Sequence, residues 1–311
     1  MRTIWQHNYS AKGLASSQKR PTFAARITHA MDKEIAFPHA KINLGLFVTR
    51  RREDGYHILQ TLFYPIDWCD ALEVLPLSDA PAGTCRLVQT GLTIDGDAEQ
   101  NLCVRAYRRL QRRYPDLPGV EMHLEKRIPF GAGLGGGSSD GAHALLMLRR
   151  LFGLDLTDAE LEAEAAAMGA DCAFFCRTGA QYCEGVGHEM EPYPLTLHGL
   201  YAVVVKPPFG VSTREAYAGV RPQQPAVPLC DLLQRPIAMW RDTVANDFEA
   251  SVFPLHPELA EAKQRLYAAG AVYASMSGSG SALFGLFESE PAEAPAAWFP
   301  AGWEARSIPL R

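Results

Sequence analysis

A chain of 311 residues, 47% of them apolar, can bury a large core, and its length suits two domains. Its 35 acidic and 30 basic residues are mixed along the sequence for a formal charge of −5, so no sustained basic face marks it for nucleic acid. No apolar run approaches the roughly 18 residues of a membrane span, and seven scattered cysteines make no disulfide framework and suit the reducing cytoplasm.

Residues 1–30 carry Arg2, Lys12, Lys19, Arg20 and Arg26 without one acid, and read as a disordered extension. From Ala40 to Thr49 the residues alternate, which predicts a strand. Ala40, Ile42, Leu44, Leu46 and Val48 form one face; Lys41, Asn43, Gly45, Phe47 and Thr49 form the other, either solvated or functional. Asp54-Gly55-Tyr56-His57 closes a charged turn, with an aromatic ring and an imidazole that suit stacking on a base or simply closing a hairpin.

Strands are expected at 71–77 and 84–90. Asn101 opens a helix whose apolar positions recur through Leu102, Ala106, Leu110 and Tyr114, with arginines at 105, 108, 109, 112 and 113 on a solvated face. Val120, Met122 and Leu124 alternate toward Lys126 in a strand that feeds the most distinctive stretch of the chain.

That stretch is Pro129-Phe-Gly-Ala-Gly-Leu-Gly-Gly-Gly-Ser-Ser-Asp140, five glycines in twelve residues, running into an apolar helix over 142–152. A helix N-terminus offers unpaired N–H groups and the positive end of a dipole, and glycines admit phosphate oxygens to the backbone. Ser138 and Ser139 stand where the helix should start, as caps or as hydroxyl donors to phosphate. A Walker loop needs Lys where Gly137 stands. Gly131-x-Gly133-x-x-Gly136 fits the dinucleotide fingerprint but lacks the second strand and its acid, and the Ser139 elbow pattern lacks a preceding strand. A nucleotide phosphate cradle remains.

Thr157-x-x-Glu160 is a capping box for a helix at 158–168. Asp171 then enters an apolar run, where a carboxylate serves either as a cap or in catalysis. Cys172 and Cys176 suit packing, and His188-Glu189 lacks the second His of a zinc site, so no resident metal ligands are expected. Strands follow at 200–205, 271–276 and 282–287, with a second glycine-serine loop at 277–281, read as a flexible hairpin or as backbone donors closing over phosphate or substrate. Residues 290–300 read as a surface linker.

With these pieces in order, the chain resembles the GHMP small-molecule kinase superfamily from about Phe37 to Phe287. The resemblance is carried by Pro38-His-Ala-Lys-Ile-Asn-Leu44, Asp54-Gly-Tyr-His57, Gln60-Thr-Leu-Phe63, Asn101-Leu102, loop 129–140, Gly169-Ala-Asp171, Glu184-Gly-Val-Gly187, Asn246-Asp-Phe248 and Ser277-Gly-Ser-Gly280. Loop 129–140 alone indicates the superfamily. Lys41, Asn43, Tyr56, His57 and Asp171 together point to the branch that phosphorylates the 2-hydroxyl of a cytidine diphosphate-methylerythritol, in the non-mevalonate route to isoprenoids.

The resemblance implies an α+β fold of two domains. An S5-like ATP-binding domain would span 31–190 and a ferredoxin-like domain 191–311, with the site between them, in a monomer or weak homodimer. It implies Asp171 as general base with Lys41 as its cationic partner. Asn101, Lys126, Gly133, Leu134, Gly135, Gly136, Gly137, Ser138 and Ser139 would hold ATP with Mg2+. Asn43, Tyr56, His57, Tyr217, Gly278 and Ser279 would hold the small-molecule substrate.

Overall fold

A computed structural model describes residues 33–93, 96–187 and 189–311; the expected extension 1–30 lies outside them. The elements run β1 (Glu34–Ala36), β2 (His39–Arg51), β3 (His57–Cys69), β4 (Ala71–Pro76), β5 (Cys85–Gly91), α1 (Leu102–Arg113), β6 (Val120–Lys126), α2 (Gly136–Leu151), α3 (Asp158–Ala166), β7 (Gln181–Glu184) and β8 (Glu189–Pro192). There follow β9 (Tyr201–Lys206), α4 (Thr213–Ala218), α5 (Leu229–Leu232), α6 (Glu249–Val252), α7 (Pro257–Ala268), β10 (Tyr273–Met276), β11 (Leu283–Phe287) and β12 (Glu304–Pro309).

Three four-stranded sheets organise the described chain, with strand orders β1-β4-β6-β5, β2-β3-β7-β8 and β10-β11-β9-β12. The first sheet packs one face on α1, α2 and α3, where Leu72, Val74, Met122 and Leu124 meet Ala106, Leu110, Leu145 and Leu148. The Thr157–Glu160 capping box forms as expected. The arginine face of α1 is less solvated than expected, because Arg109 and Arg113 close ion pairs with Glu164 and Glu160 of α3.

The third sheet is antiparallel throughout, and its chain order gives the ferredoxin-like arrangement, with β12 beside β9. Its second crossover is reduced to a 3-10 turn at Pro295–Trp298. The linker expected over 290–300 is therefore partly core, since Phe299 is buried and Trp298 packs beside it. A domain boundary at 190/191 would cut β8, which runs to Pro192.

The second sheet is covered on both faces, which the alternation of β2 does not reveal. Ile42, Leu44, Leu62 and Tyr64 pack against Val204, Tyr273 and Phe284 of the third sheet. Phe63 on the opposite face packs with Ala142 of α2 and with Phe174 and Phe175. Nor does the alternation hold to Thr49. Gly45 adopts φ 72°, and pairing with β3 shifts between Leu44 and Leu46. Beyond this bulge Leu46 and Val48 join the core of the third sheet, while Phe47 takes over the face of Leu44. A Cβ at Gly45 would lie 2.5 Å from Leu229 Cδ1. The diverted strand bonds the 245–247 segment, with Leu46 N–H on Ala245 O at 2.9 Å and Asp247 N–H on Leu46 O at 2.8 Å. The bulge thus joins the second sheet to the segment that carries Asn246.

Candidate active site

The cradle is set by what lies beneath it. Lys126 takes the fourth inward position of β6, only 2% exposed, with its ammonium on the Asp70 and Asp140 carboxylates. Asp70 also accepts the backbone N–H groups of Arg127 and Ile128, which fixes the turn out of β6. Burial is the largest influence on the Asp140 carboxyl and pushes it well above the usual carboxylate range. Asp140 Oδ1 is buried without a hydrogen-bond partner. Lys126 was expected among the residues that hold ATP; its ammonium is instead spent behind the loop, because β6 turns its even positions into the core.

Helix α2 begins at Gly136, inside the glycine run, with Gly135 as a cap residue at φ 73° and no side-chain cap. Its first N–H groups are therefore left for a ligand. A Cβ at Gly137 would meet nothing within 4 Å, so the approach is open. Ser138 and Ser139 sit in the first turn and not at the cap. Ser139 is fully buried, and its N–H donates to Gly135 O, so it drops out as a phosphate contact. Ser138 stays partly exposed.

The second glycine-serine loop faces the first and is fastened to it. Ser277 Oγ donates to Gly133 O at 2.9 Å, and Ala282 N–H to Ala132 O at 3.0 Å. A Cβ on Gly133 would stand 2.0 Å from Ser277 O, which no side chain tolerates. Asn246, 2% exposed, gives its amide to Met276 O and Gly278 O, both at 2.8 Å. Its role escapes sequence reading because the partners lie some thirty residues away. Gly278 packs beside Asn43, and Ser279 is half-buried at the loop tip.

Lys41 and Asn43 lie on one face of β2, as their spacing predicts, and that face is buried: Lys41 is 2% and Asn43 1% exposed. The Lys41 ammonium donates to Asn43 Oδ1 at 2.6 Å, stands 3.4 Å from Asp171 Oδ2 and lies 4.9 Å from the Phe63 ring centre. Asn43 Nδ2 donates to Thr61 Oγ1, whose hydroxyl donates to Gly45 O, so the amide is held with its oxygen toward the lysine. Lys41 N–H donates to Leu134 O at 2.9 Å and ties the strand to the cradle. Asp171 is not sunk in an apolar run; its side chain is 34% exposed, at the mouth of the site. The neighbouring Cys172 thiol is pushed up to about 11, chiefly by burial, so it stays protonated and is no nucleophile.

At the far side His57 and Tyr217 stack on each other with ring centres 4.7 Å apart, and Tyr217 meets Phe248 edge-on at the same distance. Tyr56 is 64% exposed. Partial burial, then the Arg51 charge, lowers the His57 pKa, which favours a neutral ring. Burial, then the Asp171 charge, raises that of Tyr217. On the opposite flank of the cradle a cavity of about 470 Å³ is lined by Gln89, Leu92, Asn101, Phe130, Gly137 and Asp140, among others. Asn101 caps α1 through Cys103 N–H, as expected, and also lines this cavity.

A family model described as "GHMP kinases N terminal domain" matches residues 101–179, and one described as "GHMP kinases C terminal" matches residues 229–305. A 4-diphosphocytidyl-2-C-methyl-D-erythritol kinase of Bacteroides thetaiotaomicron is 50% identical over 256 residues, covering 82% of this chain and 93% of that protein. A crystal structure of 4-(cytidine 5'-diphospho)-2C-methyl-D-erythritol kinase superposes with a TM-score of 0.75 at 37% identity, over 89% of this chain and 99% of that one. A homoserine kinase from Cytophaga hutchinsonii shares the fold at a TM-score of 0.68 and 19% identity, over 90% and 95% of the two chains. The chain belongs to the GHMP kinase family, and within it to the 4-diphosphocytidyl-2-C-methyl-D-erythritol kinases.

Proposed function

We propose that the site works as follows in the reaction of this family, transfer of the γ-phosphoryl group of ATP to the 2-hydroxyl of 4-diphosphocytidyl-2-C-methyl-D-erythritol. The observation that carries the reading is the Lys41–Asp171 pair, 3.4 Å apart, at the mouth of the site beside an uncapped helix N-terminus. Asp171 takes the proton of the attacking hydroxyl. Lys41, held by Asn43, orients that carboxylate and balances charge as the phosphoryl group passes. The nucleoside occupies the cavity beside Asn101, and the triphosphate lies on the N–H groups of Gly135 to Ser138.

Magnesium, when bound, supplies charge neutralisation on the phosphate oxygens. Among the described residues no three His, Cys, Asp or Glu side chains converge on one point. An Mg2+ ion at such a site commonly takes one or two carboxylates beside phosphate oxygens and water, which needs no such cluster. Tyr56, His57 and Tyr217 supply the ring surfaces for the cytosine, with Gly278 and Ser279 on the opposite wall. All seven cysteines are free thiols, in keeping with a reducing compartment.

The test is a coupled assay with ATP and Mg2+ and three alcohols: the cytidine diphosphate-methylerythritol, mevalonate and homoserine. Phosphorylation of the first alone is expected. Turnover of either of the others at comparable kcat/KM would overturn the assignment of the aromatic cluster to cytosine.

A further inference from the structure

We propose that Arg214 binds the diphosphate that joins the cytidine to the methylerythritol in the acceptor substrate. The proposal rests on the reading above, in which cytosine meets the His57–Tyr217 rings and the alcohol meets Asp171. The diphosphate must then cross the ground between them, with a negative charge on each phosphate. Lys41 does not meet that charge, being committed to Asn43 Oδ1 and Asp171.

The segment from Lys206 to Tyr217 covers the same ground. It starts at the glycine loops. Lys206, nine-tenths buried, donates to Pro207 O and Phe209 O at 2.5 and 2.7 Å, and Ser281 Oγ donates to Phe209 O at 2.5 Å. A Cβ at Gly210 would lie 3.5 Å from Gly131 O. The segment ends at the rings, on α4. There Glu215 is held by His256 at 2.7 Å and Ala216 O by Ser251 Oγ at 2.6 Å, with Ala216 itself fully buried. These ties fix the rotation of the helix and leave Arg214 one turn before Tyr217, on the same side and toward the glycine loops.

Arg214 is exposed and, among the described residues, closes no ion pair. The neighbouring arginines are placed otherwise. Arg52 pairs with Asp54 at 2.6 Å; Arg51 stands opposite His57 at the end of β2 farthest from Lys41, and Arg50 alternates to the other face. Arg221 lies beyond Tyr217 and lines a separate cavity with Phe47 and Asp247. A guanidinium without a carboxylate, between the glycine loops and the rings, presents its planar fork to phosphate oxygens.

Competition by cytidine and by CDP against the cytidine substrate, at saturating ATP, separates the base from the diphosphate. CDP should inhibit the wild type more strongly than cytidine does. Arg214→Met is expected to weaken CDP about tenfold, the scale of one charge-assisted hydrogen bond at an exposed position, and to leave cytidine unchanged. Arg214→Glu should weaken CDP further, again with cytidine unchanged, and Arg221→Met should bind both like the wild type. Unchanged inhibition by CDP in both Arg214 variants would overturn the proposal and leave the cytosine reading intact. Equal losses for cytidine and CDP, the sign of a displaced Tyr217, would overturn it as well. A wild type inhibited by neither compound would contradict the cytosine reading itself, and the proposal with it.

Discussion

The two flanks of the site are built differently. On the phosphate flank backbone meets backbone: Ala282 N–H reaches Ala132 O, Lys41 N–H reaches Leu134 O, and Asp70 takes the N–H groups of Arg127 and Ile128. On the base flank side chains meet side chains, with His57 on Tyr217 and Tyr217 on Phe248, and the outermost ring, Tyr56, mostly in solvent. Main-chain hydrogen bonds fix positions to fractions of an ångström, whereas stacked rings part for about 1 kcal/mol. The phosphate flank is therefore built before ligand arrives, whereas the base flank holds a ring pair that, on the proposed reading, cytosine opens or extends.

The largest expected effect breaks the first flank. Lys126→Met leaves the buried carboxylates of Asp70 and Asp140 without their cation and should cost about 3–5 kcal/mol in urea unfolding. A loss under 1 kcal/mol would mean that the buried charges do not brace the loop. Acid acts on the same flank through His143, which burial pushes down to about 4 and which lies under the cradle against Ser139 O at 2.9 Å. The unfolded imidazole takes its proton near pH 6.5. The contribution of His143 is thus complete above that pH and falls by up to about 3 kcal/mol as pH drops toward 4. In His143→Gln the fall over this window should shrink; the same fall as in wild type would contradict the assignment.

The smallest effect belongs to the base flank. Tyr217→Ala should raise KM for the cytidine substrate about tenfold with kcat little changed, since stacking contributes equally to ground and transition states. A fall in kcat at constant KM would place Tyr217 with the chemistry.

The two flanks were also unequally legible in the sequence. The glycine run, the period-two pattern of β2 and the capping box of α3 are local signals, and each found its element. Lys41 and Asp171, 130 residues apart, were joined only by the family resemblance, and the structure brings them into an ion pair. What stayed hidden depends on packing between distant segments. Asp70, a lone acid between two strands, meets Lys126 because β4 pairs with β6. The inward turn of Lys126, the burial of Ser139 and the bulge at Gly45 follow from register, which a one-residue shift reverses. The arginines of α1 look alike in sequence, and their ion pairs separate them.

The central claim is that the loop holds nucleotide while Lys41 and Asp171 perform the transfer. Asp171→Asn, nearly isosteric and at a partly exposed position, separates the two in one protein. Single-turnover phosphorylation should slow by about 100-fold or more, the scale of losing a positioned base, while calorimetry gives an ATP affinity close to wild type. An undiminished rate, or loss of ATP binding in step with the rate, would contradict the account.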